Sequence, residues 1–440
     1  MTETAAPPAP AAGEALRRHR AAAGKMQTLP KCRVAGPADF AVWYTPGVAE
    51  ACRAISADRD AVDDCTSRGN LIAVVSDGTR VLGLGDIGPY AGLPVMEGKS
   101  LLFKYLGGVD AVPLCLDTKD PADLVRTVRL IEPSFAAINL EDIAQPKCFR
   151  VLEALQAGLH IPVWHDDQQG TAIVAVAGLL NALAVTGRRL GAARIALVGV
   201  GAANVANYRL LLKAGADPRN IVACDTAGIL HPGRADIERA RETFPEKWRI
   251  CRETNAAGRA GGIAEALAGA DACLAFSASG PGVIRPDWIA AMARDAIVFA
   301  CANPVPEIWP RDALAVGARI AATGRSDFAN QVNNALAFPA VFRGTLDVRA
   351  RAISEGMALA AARALAEHAR TAGLSPARIL PRMGDDDAVA RIAAAVGMQA
   401  QAEGLARVAR GAEDLRGMAL AAIARARRAT AALDAAGVLG

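Results

Sequence analysis

The chain has 440 residues, 52% apolar and 21% charged, which excludes a disordered or collagen-like polymer and points to more than one domain. A net charge of +4 is weak for this length, and no basic run is interleaved with aromatics, so neither nucleic acid nor an anionic membrane is implied as a partner. Nine cysteines stand singly, with no C-x-x-C pair, which argues against a disulfide framework or a zinc site and for a reducing cytoplasm.

Residues 1–13 read as a disordered Ala/Pro-rich tail that lacks the basic start and apolar core of a secretory signal. Glu14 to Ala23 reads as a short basic helix, and Tyr44-Thr45-Pro46-Gly47 as a loop opening a helix at Val48. A strand over Leu71 to Ser76, the turn Asp77-Gly78-Thr79 and a second strand over Arg80 to Leu84 read as a hairpin. The Gly-rich segment Gly85 to Pro89 follows, and Glu97-Gly98-Lys99 is expected to open a helix. Strands at Ala111 to Leu116, Ala136 to Leu140 and Pro162 to His165 alternate with helices at Pro121 to Ile131 and Cys148 to Ala157, as in a small parallel α/β unit. No uncharged apolar stretch is long enough to span a membrane.

From Gly170 the pattern changes. A long apolar helix leads to the strand Ile195 to Val198, and strands at Asn220–Asp225, Ala272–Phe276 and Ala296–Ala300 alternate with helices. The predicted fold class is α/β: an N-terminal α/β catalytic domain (14–165), then a Rossmann-like doubly wound NAD(P)-binding domain (166–335). The Ala/Arg-rich helices of 336–440 are expected to pack back on the first domain or to form a subunit interface.

The cofactor reading starts at Gly199-Val200-Gly201. A buried strand runs into G-V-G-A-A-N and then a helix, which turns backbone N–H groups and the positive helix end toward a pyrophosphate. The third fingerprint position is Asn204 rather than Gly, and Gly199, Gly201 and Asn204 are expected to bind the cofactor. Asp225, ending the next strand, suits the ribose hydroxyls of NAD and repels a 2′-phosphate. The following Thr226-Ala227-Gly228 offers no cation, so NAD is favoured, with NADP possible if Arg234 or Arg259 folds in.

Two acidic pairs, Glu141-Asp142 and Asp166-Asp167, end two predicted strands. Four carboxylates so placed repel unless a cation lies among them, and an all-oxygen set selects Mg²⁺ or Mn²⁺; helix N-capping is the other reading. Lys99 just inside a helix would have its pKa depressed by the positive helix end and could act as a base, or it is a solvated lysine. Arg80 is a carboxylate clamp or an exposed charge, and Tyr44 alone reads as a packed tyrosine.

Taken in order, Tyr44-Thr-Pro-Gly-Val-Ala-Glu50, Val74 to Gly88, Val95-Met-Glu-Gly-Lys99, Asn139-Leu-Glu-Asp-Ile143, His165-Asp-Asp-Gln-Gln-Gly-Thr-Ala172, Cys301-Ala-Asn-Pro304 and Thr323 to Asn334 resemble the malic enzymes. The likeness is to the shorter bacterial form, without a phosphotransacetylase-like extension, over about Glu14 to Leu365. The resemblance implies metal-dependent oxidative decarboxylation of L-malate to pyruvate by a cytoplasmic homodimer or higher homo-oligomer. It makes Tyr44 the general acid, Lys99 the base with Asp166 beside it, Glu141, Asp142 and Asp167 the metal ligands, and Arg80 a substrate clamp. Asn303 and Asn334 would reach both substrate and nicotinamide. Gln169 departs from the family, where bacterial relatives usually carry His. Two other functions remain open on the same fold: a malolactic or oxaloacetate-decarboxylating lyase, and a non-catalytic nucleotide sensor, against which the intact set from Tyr44 to Asp167 argues.

Overall fold

The computed structural model describes residues 13–439; the expected disordered tail lies outside them apart from Gly13. Strands β1 (Leu71–Ser76), β2 (Asp110–Cys115), β3 (Ala137–Leu140) and β4 (Val163–His165) form a parallel sheet in the order β2-β1-β3-β4. β1 is buried from Ile72 to Ser76, as a central parallel strand covered on both faces must be, and its unbroken run of apolar residues reflects that.

The second sheet contains β5 (Ile195–Val198), β6 (Ile221–Asp225), β7 (Gly228–Ile229), β8 (Ala272–Ala275), β9 (Ala296–Ala300) and β10 (Ala318–Thr323). Their order is β10-β9-β8-β5-β6-β7, parallel except for β7. β5 pairs with β6 on one side and with β8 on the other, so the winding reverses there. In an open α/β sheet, ligands settle in the crevice at the carboxyl ends of the strands at this switch point. The Gln169–Val185 helix, buried along most of its length, runs from the end of β4 and packs on β9, joining the two sheets.

Of the C-terminal helices, Phe338–Asp347, Asp386–Ala402 and Ala412–Ala435 pack on the Gly88–Gly107 helix of the first unit, and Glu355–Thr371 packs on the helices Gln169–Val185 and Ala202–Ala214. Phe103 lies 4.6 Å from Phe338 and 5.0 Å from Phe342, and Trp164 lies 6.3 Å from Phe342. Each such pair adds roughly 0.5–1.5 kcal/mol beyond the area it buries. Arg407 pairs with Asp60 and Asp63, and the Arg343 guanidinium donates to Asn70, so polar contacts brace the same junction.

Two local expectations are corrected. The hairpin does not form: residues 80–84 make a turn closed by an isolated Val81–Gly85 bridge. Leu82 and Gly85 have positive φ, which an extended strand cannot contain, and the Arg80 N–H donates to the Asp142 carbonyl (2.9 Å) instead of pairing with β1. The helix carrying Lys99 runs from Gly88 to Gly107, with proline in its first turn, so Lys99 lies deep inside it and far from its positive end. All nine cysteines are free, and among the described residues no helix is long and apolar enough to cross a membrane.

Candidate active site

Lys99 is the centre of a buried charged cluster. Gly92, Met96, Lys99, Ser100, Phe103 and Leu106 share the inward stripe of the Gly88–Gly107 helix, so helical spacing drives the lysine into the core. Its Nζ donates to Asp166 Oδ2 (2.6 Å), pairs with Glu141 Oε1 (2.8 Å) and lies 4.3 Å above the Phe338 ring. Burial by itself would lower its pKa, but the Asp166 and Glu141 charges outweigh burial and hold the ammonium well above its ordinary value. The depression expected from the helix end is therefore corrected: Lys99 is far from that end and beside two anions.

The carboxylates come from the ends of β3 and β4. Glu141, Asp142 and Asp167 can each bring an oxygen within 4.8 Å of the others. Glu141 and Asp142 are buried and Asp167 is half-buried. The Asp142 N–H donates to Asp167 Oδ2 (2.9 Å), locking the two strand ends together, and Asn139 Nδ2 donates to Glu141 Oε2 (2.9 Å). Burial, then the Asp167 charge, push Asp142 up to about 8, and burial pushes Glu141 well up as well. Asp142 Oδ2 is buried with no hydrogen-bond partner. Like charges gathered around an unsatisfied oxygen favour a cation, so these three residues fit a hard divalent ion. Helix capping does not account for them.

Asp166 is wholly buried and sits with Lys99, as the sequence suggested, its other oxygen accepting from Trp164 Nε1 (3.2 Å). Gly170 is required here: an added Cβ would lie 1.8 Å from Asp166 Oδ1. Asn334 lies against Gly170 and so reaches the cluster, while exposed Asn303 meets the loop carrying Arg80 through the backbone of Gly83. Arg80 is exposed, and among the described residues its guanidinium bonds only to the Leu82 carbonyl (3.1 Å).

Tyr44 is the residue the structure leaves apart. It is 70% exposed, at the end of the short helix Phe40–Trp43, and makes no side-chain hydrogen bond with the cluster among the described residues. Phe40, Val42 and Trp43 are more than half exposed beside it.

The cofactor crevice opens at the carboxyl end of β5. Gly199 adopts φ +84°, and a Cβ there would come within 2.7 Å of the Phe276 carbonyl, so only glycine fits the turn. Gly201 caps the helix Ala202–Ala214, whose amino end faces the crevice. Asn204 differs from its expected role: it is fully buried, and its Nδ2 donates to the carbonyls of Val198, Gly199 and Leu274. It props the glycine turn from below and does not face a dinucleotide. Asp225 ends β6 as expected, but Arg234 does fold in, its Nη1 and Nη2 lying 3.1 and 3.4 Å from the carboxylate, with Lys247 Nζ at 3.4 Å. Arg259 instead donates to the Ala268 carbonyl.

Several members of the site went unnoticed in the sequence. Glu307 is buried and accepts from Ser277 N–H (2.8 Å) and Ala302 N–H (3.0 Å), tying together the loops that follow β8 and β9. His165 is fully buried with both ring nitrogens unbonded, Nδ1 3.7 Å from Asp167; burial pushes its pKa down, so it is neutral. Phe338 and Trp164 complete the walls around Lys99 and Asp166. The i, i+4, i+7 spacing of Gly92, Met96 and Lys99 was the available signal for a buried lysine; nothing local marks Glu307.

A doubly wound sheet with a glycine turn at its switch point, joined to a sheet whose carboxyl end holds a buried lysine–carboxylate cluster, fits an enzyme that binds a dinucleotide. Sequence comparison makes it specific. The malic enzyme N-terminal domain matches residues 23–126, and the malic enzyme NAD binding domain matches residues 168–401. The chain is 45% identical over 395 residues to the bifunctional malic/malolactic enzyme of Bacillus subtilis, covering 90% of this chain and 94% of that one. It is 46% identical over 386 residues to the NAD-dependent malic enzyme of Geobacillus stearothermophilus, covering 87% of this chain and 78% of that protein. The crystal structure of Entamoeba histolytica malic enzyme superposes with a TM-score of 0.93 at 46% identity, covering 96% of this chain and 88% of that one. The chain belongs to the malic enzyme family, and it is an enzyme that uses NAD or NADP.

Proposed function

We propose that the chain catalyses oxidative decarboxylation of L-malate to pyruvate and CO₂ with reduction of NAD or NADP, using Mg²⁺ or Mn²⁺. The observation that carries this reading is the buried Lys99 held by Asp166 and Glu141, with Glu141 shared between the lysine and the carboxylate trio. Glu141, Asp142 and Asp167 would hold the metal. When bound, the divalent ion supplies Lewis acidity and the dinucleotide takes up hydride from C2. Lys99 first passes an ammonium proton to Asp166, whose carboxyl burial raises, and the neutral amine then takes the C2 hydroxyl proton; Phe338 and Trp164 keep bulk water from that nitrogen. Arg80 offers an exposed guanidinium to a malate carboxylate, Asn334 and Asn303 border substrate and nicotinamide, and the Tyr44 hydroxyl delivers the proton to C3 of the enol.

The division of labour is shared: residues 14–165 carry Tyr44, Arg80, Lys99, Glu141 and Asp142, 166–335 hold the dinucleotide and add Asp166, Asp167, Asn303 and Asn334, and 336–440 brace the first unit. NAD is the preferred acceptor because Asp225 stands where the ribose hydroxyls arrive, and Arg234 with Lys247 make NADP the second. The chain works in the cytoplasm, a setting that suits nine free thiols. It works as a homodimer, because the apolar segment around Phe40 to Tyr44 is exposed on a single chain. A second copy on that segment would also bring Tyr44 into a site.

The resemblance to a bifunctional malic/malolactic enzyme supports a second reading, in which malate becomes lactate with no net change in cofactor. One assay separates them: L-malate, Mn²⁺ and either NAD or NADP, followed by absorbance of the reduced cofactor and by product analysis. Reduced cofactor with pyruvate supports the first reading; lactate without net reduced cofactor overturns it.

A further inference from the structure

Beside the metal loop lies a cavity of about 300 Å³ that the reaction does not use. That volume is at the lower end of small-molecule sites, roughly 300–1,000 Å³. It lies where three parts of the chain meet: the Lys147–Gly158 helix with β4, the Ala202–Ala214 helix of the cofactor unit, and the loop 351–355 that opens the Glu355–Thr371 helix. Its walls include Leu152, Ile161, Val163, Leu210 and Ile353, the largest aliphatic side chains of the lining.

Three polar groups on that lining have unmet bonding capacity. Gln168 is 1% exposed, and among the described residues its Nε2 has no hydrogen-bond partner. A buried amide donor left unsatisfied costs about 1–3 kcal/mol, so an acceptor there is favoured. Arg351 and Glu355 are exposed charges of opposite sign at the mouth, and among the described residues neither side chain makes an ion pair or hydrogen bond. The other cation of the lining, Arg209, is already taken by Glu246. An aliphatic interior, a free guanidinium, a free carboxylate and a buried donor together specify a ligand with a small branched apolar body, one carboxylate and one ammonium.

We propose that this cavity is a binding site for a small aliphatic α-amino acid. The ligand carboxylate meets Arg351 and the Gln168 amide, its ammonium meets Glu355, and its side chain enters the aliphatic interior. Gln168 and Gln169 belong to the segment that carries Asp166 and Asp167: the Gln168 N–H donates to the His165 carbonyl (3.1 Å), and Gln169 Oε1 accepts from the His165 N–H (3.0 Å). An occupant bonded to Gln168 therefore bears on the loop that presents the metal ligand Asp167, and the site is an effector site for the enzyme.

The test uses the full chain and three probes that share one branched apolar body: L-valine, 3-methylbutanoate, which lacks the ammonium, and 2-methylpropylamine, which lacks the carboxylate. Binding is read by calorimetry and ligand-observed NMR without malate, so the result does not depend on the malate reading. Valine should bind about tenfold more tightly than either partial probe. Glu355→Gln should bring valine down to the level of 3-methylbutanoate, and Arg351→Gln should weaken both acids; both residues are exposed, so folding is retained. Ala352→Trp, which fills the cavity from its half-buried edge, should abolish all three. Equal binding of valine and 3-methylbutanoate, valine binding untouched by Ala352→Trp, or no binding of valine overturns the site. Valine that binds but leaves the Mn²⁺ dependence of malate turnover unchanged overturns the effector role.

Discussion

The carboxyl ends of the two parallel sheets do different work with different materials. At the first sheet, charged side chains on β3 and β4 converge with Lys99, and nearly all of that charge is buried. At the second, the crevice is built from backbone: a glycine turn, a helix amino end and two loops held by Glu307, with Asp225 and its cations at the rim. A site made of side chains stands or falls with single residues. A site made of backbone tolerates them better and shifts preference instead of losing function. Substitutions at the first sheet should therefore cost far more than those at the rim of the second.

The largest effect is expected for Lys99→Ala, which should lower malate turnover by about 10²–10⁴-fold. Reduced-cofactor fluorescence should show dinucleotide binding retained, because the crevice of the second sheet is untouched. Turnover at the wild-type rate would show that the base is another group. Removing the lysine also strands Asp166 and Glu141 in the core, and breaking a buried pair destabilises by about 3–5 kcal/mol, so the melting temperature should fall with it.

Tyr44→Phe should come next, and its signature is kinetic. The hydroxyl is exposed, so stability should change by less than about 0.5 kcal/mol. Formation of pyruvate from the enol should suffer more than hydride transfer, measured as reduction of oxaloacetate; equal loss in both would remove the acid role. Mixing the Lys99→Ala and Tyr44→Phe proteins asks whether acid and base come from one chain. Recovery of turnover on mixing places them on two copies, and no recovery keeps them on one.

A third test acts through pH. The Asp142 carboxyl, raised to about 8, must lose its proton before it can hold a cation. Below that pH each bound ion displaces a proton, so Mn²⁺ affinity should fall as pH is lowered through about 8 and level off above it, by up to about tenfold per pH unit for one proton. Chelator competition across that range, with proton release on adding Mn²⁺, measures it. Asp142→Asn should remove the step near pH 8, leaving the proton linkage of Glu141, and weaken Mn²⁺ at every pH.

Much of this was legible in the sequence, and the reasons are local. The parallel strands announced themselves as short apolar runs ending in acids, because a strand buried on both faces can place polar groups only at its tips. Lys99, Asp166 and the carboxylates Glu141, Asp142 and Asp167 could be singled out because each stands at such a tip or in an ordered motif. What failed depended on the third dimension. The hairpin follows from good turn chemistry at Asp77 to Thr79, and Asp77 Oδ1 does accept from Thr79 N–H (3.1 Å), but beyond the turn the Arg80 N–H bonds to the Asp142 carbonyl, past the end of β3. The pKa of Lys99 was assigned from a helix end that the chain places elsewhere, and Asn204 was read as a ligand because its position in the fingerprint says nothing about which way its amide points.

Asp225 shows the same limit and yields the last test. Its neighbours Thr226 and Ala227 carry no charge, yet Arg234 and Lys247 close on its carboxylate from farther along the chain, and the Ala227 N–H donates to Oδ1 (3.0 Å). An arriving NAD must share Asp225 with these donors. An arriving NADP finds two cations that a 2′-phosphate can draw away from the carboxylate, since phosphate offers more charge and more acceptors. Arg234→Ala should therefore lower kcat/KM for NADP by about tenfold, the equivalent of one good charged contact, and leave NAD within about twofold or slightly improved. Lys247→Ala should act in the same direction and less strongly, because its Nζ touches a single oxygen. If both variants leave the NADP-to-NAD ratio where it began, these cations serve only to neutralise Asp225, and discrimination lies with the carboxylate itself.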